Sequence, residues 1–217
     1  MVTKYVTTDI LELAYLEHGP ASGRPVLLLH GFPDDATSWD AVADRLAGHG
    51  ARVLAPHTRG VGATRFRLDE TSRTGQLAAL VTDAVAFLDA LGVRRVTVAG
   101  QDWGARVAQG LAALNPERVE HLVSTDTGTD ARYDGVEATL AAAPRVEVPT
   151  TVLLGADDGI EQPAVDDPRD AHFFPHLRSR LLLEGVGHWP HREAPELVAD
   201  ALTGEPLTSS GNAQARQ

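Results

Sequence analysis

Apolar residues fall into two kinds of pattern along this chain, and the two alternate. Short unbroken runs, Val26-Leu27-Leu28-Leu29, Val53-Leu54-Ala55, Val96-Thr97-Val98-Ala99 and Thr151-Val152-Leu153-Leu154, read as strands buried on both faces of a sheet. Between them lie segments with helical spacing. One opens at Thr37-Ser38-Trp39, runs to Leu46 and closes at Gly48 and Gly50. A second covers residues 75–91, with Leu77, Leu80, Val81, Ala84, Val85 and Leu88 on one face and Gly92 as its stop. A third covers Ala105 to Leu114 and ends at Asn115-Pro116. Further strands are expected at 119–123 and 180–183, a closing helix at 195–202, and an edge hairpin within 3–18. Alternating strands and helices with short connections predict a single α/β domain, with a mostly parallel, doubly wound sheet over residues 1–203. Residues 126–147 are small, polar and weakly helical, and residues 160–172 read as an acidic loop. The tail, 204–217, is small and polar and is expected to be disordered.

The run at Val96 ends at once in Gly100-Gln101-Asp102-Trp103-Gly104, and a helix follows. Strand, tight turn and helix, with glycine on either side of the central residue, is the setting of a nucleophile elbow. The central residue here is Asp102. A serine attacking a saturated carbon would leave an ether that water cannot cleave, whereas a carboxylate leaves an ester that it can. Aspartate at this position therefore points to alkyl-ester intermediates.

Composition narrows the classes of function. The sequence of 217 residues is 43% hydrophobic and 23% charged, which suits one domain with a sizeable core. A formal net charge of -11 argues against nucleic-acid backbones and anionic membranes as partners. There are no cysteines, so thiolate chemistry and disulfides are excluded. No apolar run approaches membrane-spanning length, and Met1 to Tyr5 lacks a signal-peptide pattern, so a cytoplasmic location is expected. His57, His172, His176 and His191 show no metal-ligand spacing, and neither a metal nor a cofactor is expected.

Four separated motifs agree in order and spacing: His30-Gly31-Phe32-Pro33 with Trp39, Pro56 with Arg59-Gly60 and Gly62, Gly100 to Gly104, and Gly187-His188-Trp189. From about Val26 to Leu202 the chain resembles the α/β-hydrolase fold family, in the branch that holds epoxide hydrolases and haloalkane dehalogenases. The resemblance implies Asp102 as nucleophile, His188 as base and Asp158 as the triad acid, with Asp157 and Asp126 as alternative acids. It also implies an oxyanion hole from the backbone N–H groups of Phe32 and Trp103, and substrate contacts from Phe32, Trp103, Tyr133 and Trp189. His30 is expected to shape the oxyanion loop and Arg59 to tie loops together. Two departures stand out. Members of this branch usually insert a helical cap after the strand that follows the elbow helix, whereas here only the short segment 126–147 stands at that point, so the cap is missing or vestigial. Gln101 stands where histidine is common.

The resemblance implies an epoxide-hydrolase-like enzyme with a covalent Asp102 ester. The alternatives are haloalkane dehalogenation, ester or lactone chemistry, non-hydrolytic cyclisation or elimination in the same pocket, or a non-catalytic binding protein. A cap excludes water, and a carboxylate is more reactive when desolvated. Without one, the expected partner is a bulky hydrophobic or natural-product substrate that covers its own reacting centre, or a second copy of the chain that roofs the site as a homodimer.

Overall fold

A computed structural model of the protein describes residues 2–125, 139–140, 142, 145–160, 163 and 166–204, together with the backbone of 213–216. The first three strands are β1 (Lys4–Thr7), β2 (Leu11–His18) and β3 (Arg24–Leu29). A single 3-10 turn at Ala36–Trp39 leads into α1 (Asp40–Gly48), so the expected helix is present but starts in a tighter winding. The Asp35 carboxylate caps that turn by accepting the Thr37 N–H at 2.8 Å. There follow β4 (Ala51–Pro56), a two-residue β5 (Arg65–Phe66), α2 (Leu77–Ala90), β6 (Val96–Gly100), α3 (Trp103–Leu114) and β7 (Val119–Ser124). The chain continues through β8 (Thr150–Gly155), α4 (Asp170–Phe173), β9 (Leu177–Leu183), α5 (Pro190–Glu193), α6 (Pro195–Thr203) and β10 (Ala213–Arg216).

The sheet runs β1-β2-β4-β3-β6-β7-β8-β9-β10, with β5 on β2. From β4 to β9 every pairing is parallel, and the strands at the two ends, β1–β2 and β10, pair antiparallel. This is the mostly parallel α/β sheet that the alternating pattern predicts. Two stretches depart from expectation. The acidic loop contains the short α4, which Arg180 anchors by donating to Asp170 at 2.9 Å. Within the stretch expected to be disordered, Ala213–Arg216 pairs with β9 in the register Ala213↔Leu183 to Arg216↔Arg180.

Successive strand residues point to opposite faces, and that period divides the core in two. Leu27 and Leu29 of β3, Leu54 of β4, Val98 of β6 and Val152 and Leu154 of β8 pack under α2 and α3 with Val81, Phe87, Leu88 and Leu111. Val26 and Leu28 of β3, Val53 of β4, Ala99 of β6 and Leu153 of β8 face the other way, onto α1 and α6, with Trp39, Leu46, Val198 and Leu202. Having a helix layer on both faces explains why these strands are continuously apolar rather than alternating. Among the described residues, no helix is long and apolar enough to cross a membrane.

Candidate active site

Neighbouring strands build the site in two halves. In the first, β3 and β6 are parallel neighbours with Leu29 opposite Gly100, so their C-terminal loops emerge side by side. The Gln101 N–H donates to the Leu29 carbonyl at 3.1 Å and extends the ladder into the turn. Asp102 then takes φ 50 and ψ −122, and it is the non-glycine residue with positive φ among those described. The turn closes so tightly that a Cβ on Gly100 would strike the Gly104 carbonyl, and one on Gly104 would strike the Leu29 carbonyl. This is why glycine flanks the aspartate on both sides. Gly31 faces it as closely: a Cβ there would lie 2.6 Å from the Asp102 Cβ. Only a bare backbone can pass, and that passage lets the Phe32 N–H donate to Asp102 Oδ2 at 2.9 Å. Asp102 also occupies the N-cap of α3, where the helix dipole favours negative charge.

The second half stands on β8 and β9, parallel with Gly155 opposite Leu183. The turn after β8 is pinned by Ala156 N–H to the Leu183 carbonyl and Asp157 N–H to the Val186 carbonyl, both at 2.9 Å. That places Asp158 Oδ2 at 2.8 Å from His188 Nδ1, with the two side chains only 12% and 8% exposed. The other Asp158 oxygen accepts the Ile160 N–H at 2.7 Å. An ionised carboxylate only accepts, so Nδ1 carries the proton and Nε2 is the lone-pair nitrogen of the neutral ring. Asp157 is exposed, and Asp126 lies outside the described residues.

Two further residues brace these halves, Gln101, noted in the sequence only as a departure, and Glu193, which the motifs did not single out. Gln101 is fully buried, and its Nε2 donates to the His188 carbonyl at 3.1 Å. It therefore ties the residue before Asp102 to the His188 loop, although Asp102 and His188 share no direct hydrogen bond among the described residues. Glu193 of α5 accepts the Gly187 N–H at 2.7 Å and the Trp189 N–H at 3.2 Å, fixing the backbone on either side of His188. The spacing Gly187 to Glu193 could have suggested this, since a carboxylate in the first turn of a helix reaches back to N–H groups ahead of it.

His30 behaves as expected. Its Nε2 accepts the Thr58 N–H at 3.1 Å and its Nδ1 donates to the Gly31 carbonyl at 2.9 Å, and burial pushes its pKa down. A neutral ring thus braces the loop that presents Phe32. Arg59 ties loops as expected: it forks onto Asp83 at 2.6 and 2.7 Å and reaches the Thr74 carbonyl at 3.2 Å.

Beside the elbow lies an open cleft of about 740 Å³. Phe32 and Trp103 line it, together with the loop after β4 and residues 73–75. Trp189 is not among its lining residues and instead packs edge-on against His188, with centroids 5.2 Å apart at 83°. Tyr133 lies outside the described residues. Among the described residues, no three His, Asp or Glu side chains are gathered as a metal ion would require.

A family model for the alpha/beta hydrolase fold matches residues 24–147. The chain belongs to that family. Among curated relatives, epoxide hydrolase B of Mycobacterium tuberculosis is 41% identical over 102 residues, which is 46% of this chain and 28% of that protein. Epoxide hydrolase 3 of Siraitia grosvenorii is 40% identical over 103 residues, 48% of this chain and 32% of that protein. Epoxide hydrolase A of Mycobacterium tuberculosis is 32% identical over 148 residues, 68% of this chain and 41% of that protein. The chain thus spans about a third of the length of the curated relatives it matches. Among solved structures, a candidate epoxide hydrolase of Klebsiella pneumoniae superposes with a TM-score of 0.82 at 27% identity, covering 93% of this chain and 96% of that one. Epoxide hydrolase VrEH1 of Vigna radiata superposes with a TM-score of 0.81 at 19% identity over 94% and 96% of the two chains, which bears on the fold alone.

Proposed function

We propose that this hydrolase opens epoxides through an ester on Asp102 and then hydrolyses that ester with His188 as base. The observation that carries the reading is the hydrogen bond from Phe32 N–H to Asp102 Oδ2, because it makes the two carboxylate oxygens inequivalent. Oδ1 is the oxygen left to attack. It bonds to an epoxide carbon, the ring C–O bond breaks, and the ring oxygen leaves as an alkoxide that water in the open cleft protonates. Oδ2 becomes the ester carbonyl. Water then attacks the ester carbon and gives its proton to His188 Nε2, while the negative charge gathers on Oδ2 against the Phe32 N–H, with the Trp103 N–H as second donor. Collapse breaks the bond between the ester carbon and Oδ1, and His188 returns the proton to the departing diol. Asp158 holds the ring in the required tautomer and offsets the imidazolium charge. The same donor therefore stands in place before charge develops, and removing one such donor typically costs about 3–4 kcal/mol of barrier.

The identities of 40–41% to epoxide hydrolases support this chemistry over halide displacement. The substrate in this reading is bulky and largely apolar. Phe32, which lines the cleft, is 77% exposed, so apolar surface is available there to receive it. The test is His188→Gln incubated with an aryl or alkyl epoxide. The peptide containing Asp102 should gain the mass of the intact epoxide, and Asp102→Asn should abolish both adduct and turnover. Full diol production in Asp102→Asn would refute the covalent reading.

A further inference from the structure

The charges lining the cleft do not match the charge of the molecule. The protein carries a formal net charge of -11, yet the charged side chains around this opening are Arg59, Arg65, Arg73 and Asp34. Two of the four are neutralised locally: Arg59 by Asp83 at 2.6 Å, and Asp34 by Arg192 at 3.1 Å. Arg65 and Arg73 have no ion pair among the described residues. Arg65 is steadied by donating one terminal nitrogen to the Gly62 and Thr64 carbonyls, at 2.7 and 2.8 Å. Arg73 stacks on the Phe66 ring, its guanidinium carbon 4.6 Å from the centroid, and Arg59 meets the same ring at 5.9 Å. Stacking orients a guanidinium through its flat face and leaves its N–H edges free. Two oriented, unpaired cations thus share one cleft with an apolar wall of Phe66, Leu80, Val107 and Trp103.

We propose that Arg65 and Arg73 form an anion-anchoring subsite, and that the substrate is an amphipathic organic acid. Its carboxylate docks on the two guanidinium edges, and its apolar body lies along Phe66, Leu80 and Trp103 toward Asp102. A carboxylate suits this pair because the planar guanidinium fork matches its two oxygens. The inference rests on the epoxide-opening reading, since it names the class of epoxide. It also answers how an uncapped cleft orients a flexible molecule: the anchor fixes the end that no roof encloses.

The test compares an ω-epoxy fatty acid with its methyl ester in the wild type and in the double variant Arg65→Gln/Arg73→Gln. The wild type should prefer the acid. The double variant should lower the ratio of kcat/KM for acid over ester by about 10-fold. Arg73→Lys alone should keep part of the preference, because charge survives while the fork is lost. An unchanged ratio in the double variant overturns the anchor and leaves epoxide opening standing. Tryptophan fluorescence titration with decanoate and decanol reads the anchor without any turnover. Tighter binding of decanoate, lost in the double variant, sustains the subsite even if neither epoxide is opened, which would sink the hydrolase reading alone. Equal affinity for decanoate and decanol in the wild type overturns the subsite.

Discussion

Two histidines far from solvent make the fold sensitive to mild acid. His191 is 0% exposed and lies against the Trp39 ring, with centroids 4.3 Å apart, and neither of its ring nitrogens has a hydrogen-bond partner. Burial, helped by the positive charge of Arg192, holds its pKa at about 3 instead of 6.5. His121, within β7, is 5% exposed, and burial with Arg178 and Arg24 nearby holds it at about 4. Both folded values lie below the unfolded one. Below pH 6.5 the unfolded chain therefore binds protons that the folded chain refuses, and stability falls with pH until it levels off near 4 and 3. Between pH 7 and pH 5 each ring removes about 2 kcal/mol, a large share of the ~5–15 kcal/mol that holds a domain folded. Urea unfolding of the wild type, His191→Gln and His121→Gln at pH 7, 6 and 5 checks this. Each variant should start less stable or equal at pH 7, yet lose about 2 kcal/mol less than the wild type by pH 5. Comparing slopes cancels Asp83 and Asp170, whose carboxyls burial pushes up and whose contribution has the opposite sign. Parallel pH profiles for all three proteins would refute the argument.

Two further predictions concern the frame of the site. Gly104→Ala should destabilise by more than about 3 kcal/mol and abolish activity, because the added methyl collides with the Leu29 carbonyl. Gly48→Ala, where an added methyl meets nothing within 4 Å, should be neutral or mildly stabilising, and thermal melts of the two glycine variants check the contrast. Asp83→Leu should cost about 3–5 kcal/mol by leaving Arg59 charged and unpaired, and Arg59→Met/Asp83→Leu should recover most of that loss in urea unfolding.

The parts that the sequence made legible are those where one residue type has one physical use. Unbroken apolar runs mark the central strands because only a sheet covered on both faces hides them. The glycines at 100 and 104 mark the elbow because nothing larger fits against the Gly104 and Leu29 carbonyls. The motif favours Asp158 but leaves Asp157 as an alternative, since both sit in the same turn. Only the backbone bonds from Ala156 and Asp157 decide which one reaches His188. Gln101 read only as a departure from the usual histidine because its partner is a backbone carbonyl 87 positions away, a long-range contact that leaves no local pattern. The unpaired Arg65 and Arg73 were illegible for the opposite reason: arginine is common on surfaces, and only the cleft distinguishes these two. The strand at Ala213–Arg216 is four residues long, Ala-Gln-Ala-Arg, and carries no apolar run to announce its pairing with β9.

The strand order places the candidate site groups in two compact halves. Phe32 and Asp102 follow adjacent strands, β3 and β6, and meet at 2.9 Å. Asp158 and His188 follow another adjacent pair, β8 and β9, and meet at 2.8 Å. Each half is fixed by its own parallel register, so neither depends on what lies above the sheet. Between the halves stands β7 alone, ending at Ser124. What must then span the gap is the link from Gln101 to the His188 carbonyl, which crosses from one half to the other beneath the site. Asp102 sits at φ 50, a conformation that costs a non-glycine residue about 1–3 kcal/mol and persists only when its surroundings over-determine it. Here Gly31, Gly100, Gly104 and Phe32 supply that constraint from the loop after β3, the end of β6 and the start of α3. Asp102 is therefore held in place from within the fold, and the open cleft lies beside it.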